Sequence, residues 1–566
     1  MRLRKVTFLV GILLLMLPGP ARGADLYRLD IPPGYDLGRM AEIPLQYFGR
    51  VKNAAVDFAL VSLTSRDRPS LARAGLILHK LAPIPADKSL YWLYAPPNQS
   101  FPVSTLAQAL ARDEEGILMQ MAPDDAERWS AEGFALRLLQ PLPPDILTGP
   151  SRDPGRIRAG KLAEVSPLVQ EMLDQVTEDW VAARTGDLTG VWPVLIDEEP
   201  YTLSTRNSYR TEAIEKAGRY LFDFYQKLGL AVSLEEFVFR DTRQLNIVAE
   251  KKGSLFPERI IALTAHYDNN PYSMPAPGAD DNASGTVGVL AAAEILHRYD
   301  FGQTLRFVHF AAEEQGMVGS YHHARKAYCR GETLEAVVNL DMIAWNTPGS
   351  LPDMEIHGNS TIPSSLELAA LLQDIVVQYG LGLIPVVVPN GTNRSDQASF
   401  WGFRIPALLA IESLKDFNPN YHSAKDTLGN LGNLNYYLEM VKAGVALAAV
   451  LSEPVEEGWG YVEGTVRESS TENPLPGVAI TIHNPSRGYT FATSSDEEGR
   501  YWKRVAAGDH QLTFKRNGYE PRPSLALNIP RNETVVHDAV LLPGNFYSLV
   551  YFPLLTREWI PPKGCP

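Results

Sequence analysis

Cysteine is nearly missing from this chain of 566 residues, with Cys329 and Cys565 its only two. So distant a pair permits one bridge in an oxidising compartment, tying the tail to the domain that carries Cys329, and spacing alone does not decide whether the two meet. A closed structural zinc site built on several thiolates is excluded. Basic residues are also scarce, 52 Lys and Arg against 66 Asp and Glu, for a net charge of −14. Such a surface repels phosphate backbones, which excludes nucleic acid as a partner. Long apolar runs are the third scarcity. One extends from Val6 to Leu17 behind Arg2, Arg4 and Lys5, and PGPARGAD follows, with Ala21 and Gly23 supplying the small residues a signal peptidase reads. The run is much shorter than the ~20 residues that cross a bilayer. Residues 1–23 are therefore expected to be a secretory signal, Ala24 the first mature residue, and the protein secreted, whether extracellular, periplasmic or at a cell surface. No later segment is expected to span a membrane. Loss of Arg2, Arg4, Lys5 and Arg22 takes the net charge from −14 to −18.

The length calls for several domains. An internal repeat marks the first, 24–140: LYRLDIPP (26–33) recurs as LYWLYAPP (90–97), and LVSLTSRDRPSLARAGLILHKL (60–81) as LMQMAPDDAERWSAEGFALRLL (118–139), with Gly75 and Gly133 in register. Each copy is expected to run strand, glycine-ended helix, strand, giving a duplicated small α/β domain. It offers no catalytic constellation, so a structural role is favoured over a propeptide or chaperone segment covering a site. The proline- and glycine-rich 141–159 is expected to be a linker. Over 160–453, apolar strands at 260–266, 305–312, 334–341 and 406–413 alternate with helical periodicity at 283–298, 363–380 and 431–452. Runs apolar throughout fit strands buried on both faces, so the expected fold is an α/β/α sandwich around a mostly parallel sheet. From 456 to 543 short alternating strands between turns predict a β-sandwich, followed by an aromatic, apolar tail, 544–566.

The stretch HYDNNPYSMPAPGADDNASG (266–285) sets a histidine, a spaced aspartate and two adjacent aspartates in one loop-rich segment. Adjacent carboxylates repel, and a divalent cation compensates them best. Ligands in open α/β sheets bind beyond the carboxyl ends of strands. His266, Glu313 with Glu314, and Asp341 each stand at or just past such an end, and His422 lies on the loop after another. Asp280 immediately precedes a helix, where the dipole favours an anion. Imidazole and carboxylate without thiolate form the ligand set of hydrolytic zinc. Five ligands exceed one tetrahedron, but a bridging carboxylate lets them serve two ions about 3.5–4 Å apart. Asp280 is then the shared group, tolerable beside Asp281 because it lies between two cations. His309 is expected in the core, and His322 and His323 as surface or packing residues.

The ordered series HYD, GADDNASG, EEQG, NLDMIA, SDQASF and YHSAKDT resembles the M28 zinc peptidases, the co-catalytic aminopeptidases, and 205–230 is similar to that family's usual opening. The resemblance covers about 190–452. It implies one Zn²⁺ on His266 and Glu314, a second on Asp341 and His422, Asp280 bridging, and Glu313 as general base. Adjacent side chains at a strand end point different ways, so Glu314 can hold metal while Glu313 faces the water. Asp268, two residues after His266, is placed to accept its second ring N–H. The resemblance further implies a cis bond between Asp280 and Asp281, an oxyanion hydrogen bond from Tyr421, a substrate contact from Arg394 and a supporting role for Asp396 beside Asp281. Gln397 departs from the family pattern, where many members carry histidine.

Residues 456–543 resemble carboxypeptidase regulatory-like domains with their transthyretin-like sandwich, a stability module or a contact for cell surface or glycan. The expected activity is removal of N-terminal residues from peptides with a free N-terminus. Its rivals are a carboxypeptidase, dipeptidase or glutaminyl cyclase on the same fold, and a non-catalytic receptor that has lost its metals.

Overall fold

The computed structural model describes residues 24–544 except 37–39, 41–42, 44, 53–56, 64–67, 69–70, 72–75, 86, 97–98, 114, 144–145, 147–164, 271–274, 456–457, 486–489 and 521–524. The expected signal, most of the linker, and the tail with Cys565 lie outside the described residues, whereas Cys329 is buried.

The first N-terminal copy comprises β1 (Asp25–Asp30), β2 (Gln46–Lys52), β3 (Asp57–Leu63) and β4 (Ile77–Pro83). The second comprises β5 (Ser89–Tyr94), α1 (Val103–Gln108), β6 (Ala111–Arg112), β7 (Gly116–Met121), α2 (Pro123–Ala131) and β8 (Ala135–Leu138). Their sheets run β2-β3-β1-β4 and β6-β7-β5-β8, so the two copies share one strand order as well as a sequence pattern. The expected helix of the first copy falls largely outside the described residues. In the second, α2 gives way at Gly133, whose φ of 91° a side chain would strain.

The large middle domain begins with α3 (Pro167–Asp174), α4 (Glu178–Leu188), the hairpin β9 (Val194–Ile196) and β10 (Glu199–Tyr201), and α5 (Thr211–Lys227). The Ser166 hydroxyl accepts the Val169 N–H at 3.3 Å with proline in the first turn, which explains why α3 starts there. There follow β11 (Ala231–Phe239), β12 (Thr242–Lys251), β13 (Phe256–His266), α6 (Gly285–Leu296), β14 (Gln303–Phe310), α7 (Val318–Arg330) and β15 (Thr333–Leu340). The domain ends with β16 (Asp353–His357), α8 (Pro363–Gln378), β17 (Ile384–Val388), α9 (Gln397–Gly402), β18 (Ala407–Glu412) and α10 (Leu434–Leu451). The sheet order is β11-β12-β14-β13-β15-β18-β16-β17. Its centre, β14-β13-β15-β18, is parallel as expected, while β11, β12 and the β16–β18 pair are antiparallel.

Alternate residues of β13 feed opposite cores. Ile261, Leu263 and Ala265 pack with Leu221 of α5, Leu290 of α6 and Val445 of α10. Ile260 and Ala262 pack with Ala327 of α7, Phe400 of α9, and Tyr27, Leu29 and Val61 of the first N-terminal copy. That copy therefore serves as part of the outer layer. Helix α10 has the length and hydropathy of a membrane span, contrary to the sequence expectation, but 72% of that window is buried inside the protein, as a core helix would be.

The C-terminal domain holds β19 (Trp459–Glu468), β20 (Ala479–His483), β21 (Thr490–Ser494), β22 (Arg500–Ala506), β23 (Gly508–Lys515), β24 (Leu525–Ile529), β25 (Thr534–Val536) and β26 (Ala539–Leu541). Two sheets, β22-β19-β25 with β26 also on β19, and β21-β20-β23-β24, enclose one core. The sandwich meets the middle domain where Trp459 and Ala506 pack on Leu255 and Phe256, at the start of β13. The site described next lies at the other end of that strand, ten residues or about 33 Å away.

Candidate active site

Three strand ends and two loops deliver the charged residues. β13 is hydrogen-bonded in parallel to β15, with Thr264 opposite Asn339, so His266 and Asp341 emerge side by side. His266 Nε2 lies 3.3 Å from Asp341 Oδ1 and 3.3 Å from Asp281 Oδ1. The other oxygen of Asp281 lies 3.1 Å from Nε2 of His422, which is 2.9 Å from Glu314 Oε2. Two buried triads result, His266–Asp281–Asp341 and Asp281–Glu314–His422, each close enough to hold one ion, and they share Asp281.

This geometry corrects three expectations. Asp281, not Asp280, occupies the shared position. The Asp280 carboxylate turns away, accepting the Ala344 N–H at 2.9 Å and the Asn418 amide at 2.9 Å, with Glu412 beside it. The cis peptide is Asp281–Asn282, one bond later than expected. His266 pairs with Asp341 and Glu314 with His422, because β15 adjoins β13 directly whereas Glu314 follows β14. The first two corrections have one physical reason: backbone angles at Asp281 and Asn282 are non-helical between two helical segments. Successive carboxylates therefore face opposite sides, with the Asp426 carboxylate accepting both the Asp280 and Asp281 N–H groups at 3.0 Å.

The electrostatics follow from burial. The two histidines hold Asp281 well below the usual carboxylate range against the desolvation that would raise it. Desolvation, with Asp281 next to it, pushes Glu314 up to about 7, while Asp280 is pushed up to about 6. Burial works against a charged His422, yet Glu314 and Asp281 take it up to about 10. Glu313 is raised well above its ordinary value, first by burial and then by Asp396, Glu314 and Asp341, against the pull of His266. Its Oε2 stands 4.0 Å from His266 Nε2.

Supporting contacts fix these groups. His266 Nδ1 lies 3.2 Å from the Asp268 carbonyl oxygen and 3.5 Å from its carboxylate. A carbonyl only accepts, so Nδ1 carries hydrogen and Nε2 faces Asp281 and Asp341. The Asp268 carboxylate accepts the Glu313 N–H at 3.1 Å and the Ser208 hydroxyl at 3.2 Å. Ser395 donates to Asp341 at 2.5 Å. Asp396 is fully buried with neither oxygen hydrogen-bonded, and burial pushes it up to about 7. The Tyr421 ring stacks on His422, centroids 3.7 Å apart.

A cavity of about 50 Å³ lies over these residues and is lined by His266, Asp281, Glu313, Glu314, Asp341, Arg394 and Tyr421. Met342, Leu409, Ile411, Leu414 and Phe417 form an apolar side. The remaining wall, Tyr94, Ala95, Pro96, Gly133, Ala135 and Leu136, belongs to the second N-terminal copy. Ser130 of α2 donates to the Glu314 carbonyl at 3.3 Å, and it accepts at 2.6 Å from the Asn270 amide, itself 3.3 Å from His422 Nδ1. Sequence reasoning favoured a structural role for this domain over a segment covering a site, since its wall residues carry no charged motif. Asp426, four residues beyond His422 in YHSAKDT, and Ser395 in SDQASF were missed groups within quoted motifs.

The model for peptidase family M28 matches residues 246–441, and that for the carboxypeptidase regulatory-like domain matches 461–542. A probable leucine aminopeptidase of Arthroderma otae is 32% identical over 212 residues, 35% of this chain and 55% of the relative. Another from the same organism is 32% identical over 260 residues, 43% of this chain and 68% of the relative. A probable zinc metalloprotease of Pyrenophora teres f. teres is 34% identical over 140 residues, 24% and 30% of the two chains. The chain spans 55% and 66% of the first two curated relatives. The crystal structure of the Legionella pneumophila LapA aminopeptidase superposes with a TM-score of 0.48 at 20% identity, over 65% of this chain and 98% of that one. Every member of the histidine and carboxylate cluster falls inside the matched span 246–441, and with the longer Arthroderma otae alignment beside it, the chain belongs to peptidase family M28.

Proposed function

We propose that this chain is a secreted aminopeptidase that holds two zinc ions and removes N-terminal residues from peptides. The observation that carries the reading is Asp281, whose two oxygens face two histidines, each completed by a further carboxylate. The residues fit such ions. The donors are nitrogen and oxygen without sulfur, and buried Glu314 Oε1 is left without a hydrogen-bond partner. In this reading His266 and Asp341 hold one ion, Glu314 and His422 the other, and Asp281 both.

When bound, the ions acidify a water molecule and polarise the scissile carbonyl. Glu313 removes the water proton as the oxygen attacks the carbonyl carbon, and it passes that proton to the leaving amine as the C–N bond breaks. Tyr421 donates its hydroxyl hydrogen to the oxyanion. The apolar side of the cavity receives the side chain of the residue removed, which favours an apolar N-terminal residue. Secretion rests on the charge and apolar pattern of residues 1–23.

The test is Glu313→Gln assayed on free-amine and N-blocked peptides, with zinc content measured in parallel. Expected are unchanged zinc and turnover lower by roughly 10²- to 10⁴-fold. Near-native turnover, or equal hydrolysis of N-blocked peptides by the native protein, contradicts the reading.

A further inference from the structure

One cation in the cleft has no anion. Arg394 lines the cavity, and among the described residues it makes no hydrogen bond or ion pair; its Nε is buried without a partner. Arg394 is half-buried, and the buried arginines are satisfied: Arg206 donates to four backbone carbonyls, Arg259 pairs with Glu335, and Arg306 with Glu250 and Glu332. The loop that carries Arg394 is fixed on both sides. Thr392 and Asn393 donate to Glu115 of the second N-terminal copy at 3.1 and 3.3 Å, and Ser395 donates to Asp341. The guanidinium carbon lies 5.7 Å from the Tyr94 ring centroid, within cation–π range. A planar guanidinium fixed in a cleft without a counter-ion fits a carboxylate, which it can hold through two parallel hydrogen bonds.

A peptide cut at the carboxylate and histidine cluster offers such a group. Its C-terminal carboxylate lies one or two residues past the scissile bond, at about 3.3–3.6 Å of chain per residue. Arg394 lines the same cavity as His266, Glu314 and Asp341, so a carboxylate that reaches it belongs to a chain ending within a residue or two of the scissile bond. We propose that Arg394 is a specificity-determining residue that pairs with the free C-terminal carboxylate of a di- or tripeptide, and that Tyr94 of the N-terminal repeat holds its guanidinium in place. This rests on the peptidase reading above and adds the class of substrate.

The test compares leucylglycine with leucylglycinamide, which differ only in that carboxylate, on the zinc-loaded full chain. The native protein is expected to favour the acid in kcat/KM on the order of 10- to 100-fold, the worth of a charged hydrogen bond. That ratio should fall toward one in Arg394→Ala through a higher KM for the acid, and be partly restored in Arg394→Lys. A native ratio near one, or the same ratio in Arg394→Ala, overturns the proposal. Should the native protein cleave neither peptide nor leucine p-nitroanilide, the peptidase reading fails separately. Calorimetric binding of the same pair to the native and Arg394→Ala proteins then decides the carboxylate contact: tighter binding of the acid only when Arg394 is present supports it, and equal binding overturns it.

Discussion

Beneath the cavity the middle domain presents His266, Asp281, Glu313, Glu314, Asp341 and His422, charged groups that are all less than a tenth exposed. Above it the second N-terminal copy presents Tyr94, Pro96, Gly133 and Leu136, which carry no charge at neutral pH. The floor is tied by polar contacts such as Ser395 to Asp341 at 2.5 Å and the Glu313 N–H to Asp268 at 3.1 Å, whereas the wall is held by its own small core around Tyr91, Leu93 and Phe134. The two N-terminal copies differ in the same way: the first is fused into the core beneath the sheet, while the second, with the same strand order, reaches the cavity. The contrast separates two tasks. Changes in the floor should alter the reaction for every substrate, and changes around the wall should alter which substrate is taken.

The largest expected effect tests the floor itself. Asp281→Ala should reduce bound zinc below two ions per chain by elemental mass spectrometry and cut turnover by more than the roughly 10- to 100-fold that loss of a supporting partner costs. Asp280→Asn, one residue away, should retain both ions, since its carboxylate faces Ala344 and Asn418. The reverse pattern breaks the comparison. Next in size, Tyr421→Phe should lower kcat on the order of 100-fold with KM little changed in steady-state kinetics, as for loss of one oxyanion donor.

The smallest effect on turnover is expected at Glu235, behind the floor, where a change should appear in stability. Glu235 is 4% exposed and lies 3.1 Å from His323 and 2.9 Å from Lys326. Burial would raise its pKa, but His323 and Lys326 hold it well below the usual range. A depressed carboxylate contributes fully above its unfolded value of about 4.3, and the contribution is lost as pH falls below that. Glu235→Gln should therefore cost on the order of 3 kcal/mol at neutral pH, with native and variant Tm converging in acid. A gap independent of pH would contradict it.

How far the sequence discloses this arrangement depends on what carries the information. The buried strands β13, β14, β15 and β18 were legible because both faces are covered and their residues are largely apolar. β11 was not, since Leu234 and Val238 face water while Glu235 faces inward, so its burial does not follow the polarity of its residues. Strand-end position likewise marked His266, Glu313, Glu314 and Asp341. The choice between Asp280 and Asp281 was not legible: both are aspartates, and the backbone turn that separates them is fixed by Asp426, 145 residues away. The pairing of ligands depends on β15 lying beside β13, and chain order does not give sheet order. Tyr94 and Leu136 gave no signal, because an apolar wall and an apolar core look alike in sequence. In the C-terminal domain VVHDAVLL (535–542), whose apolar pattern reads as one strand, is divided between β25 and β26, with Asp538 between them accepting from Thr465 at 2.7 Å.

Anomalous scattering from crystals of the full chain grown with zinc tests the central claim most directly. Two peaks about 3.5–4 Å apart, one beside His266 and Asp341, the other beside Glu314 and His422, and both touching the Asp281 carboxylate, are the predicted result. A single peak, an empty cleft, or a pair of peaks flanking Asp280 would contradict it.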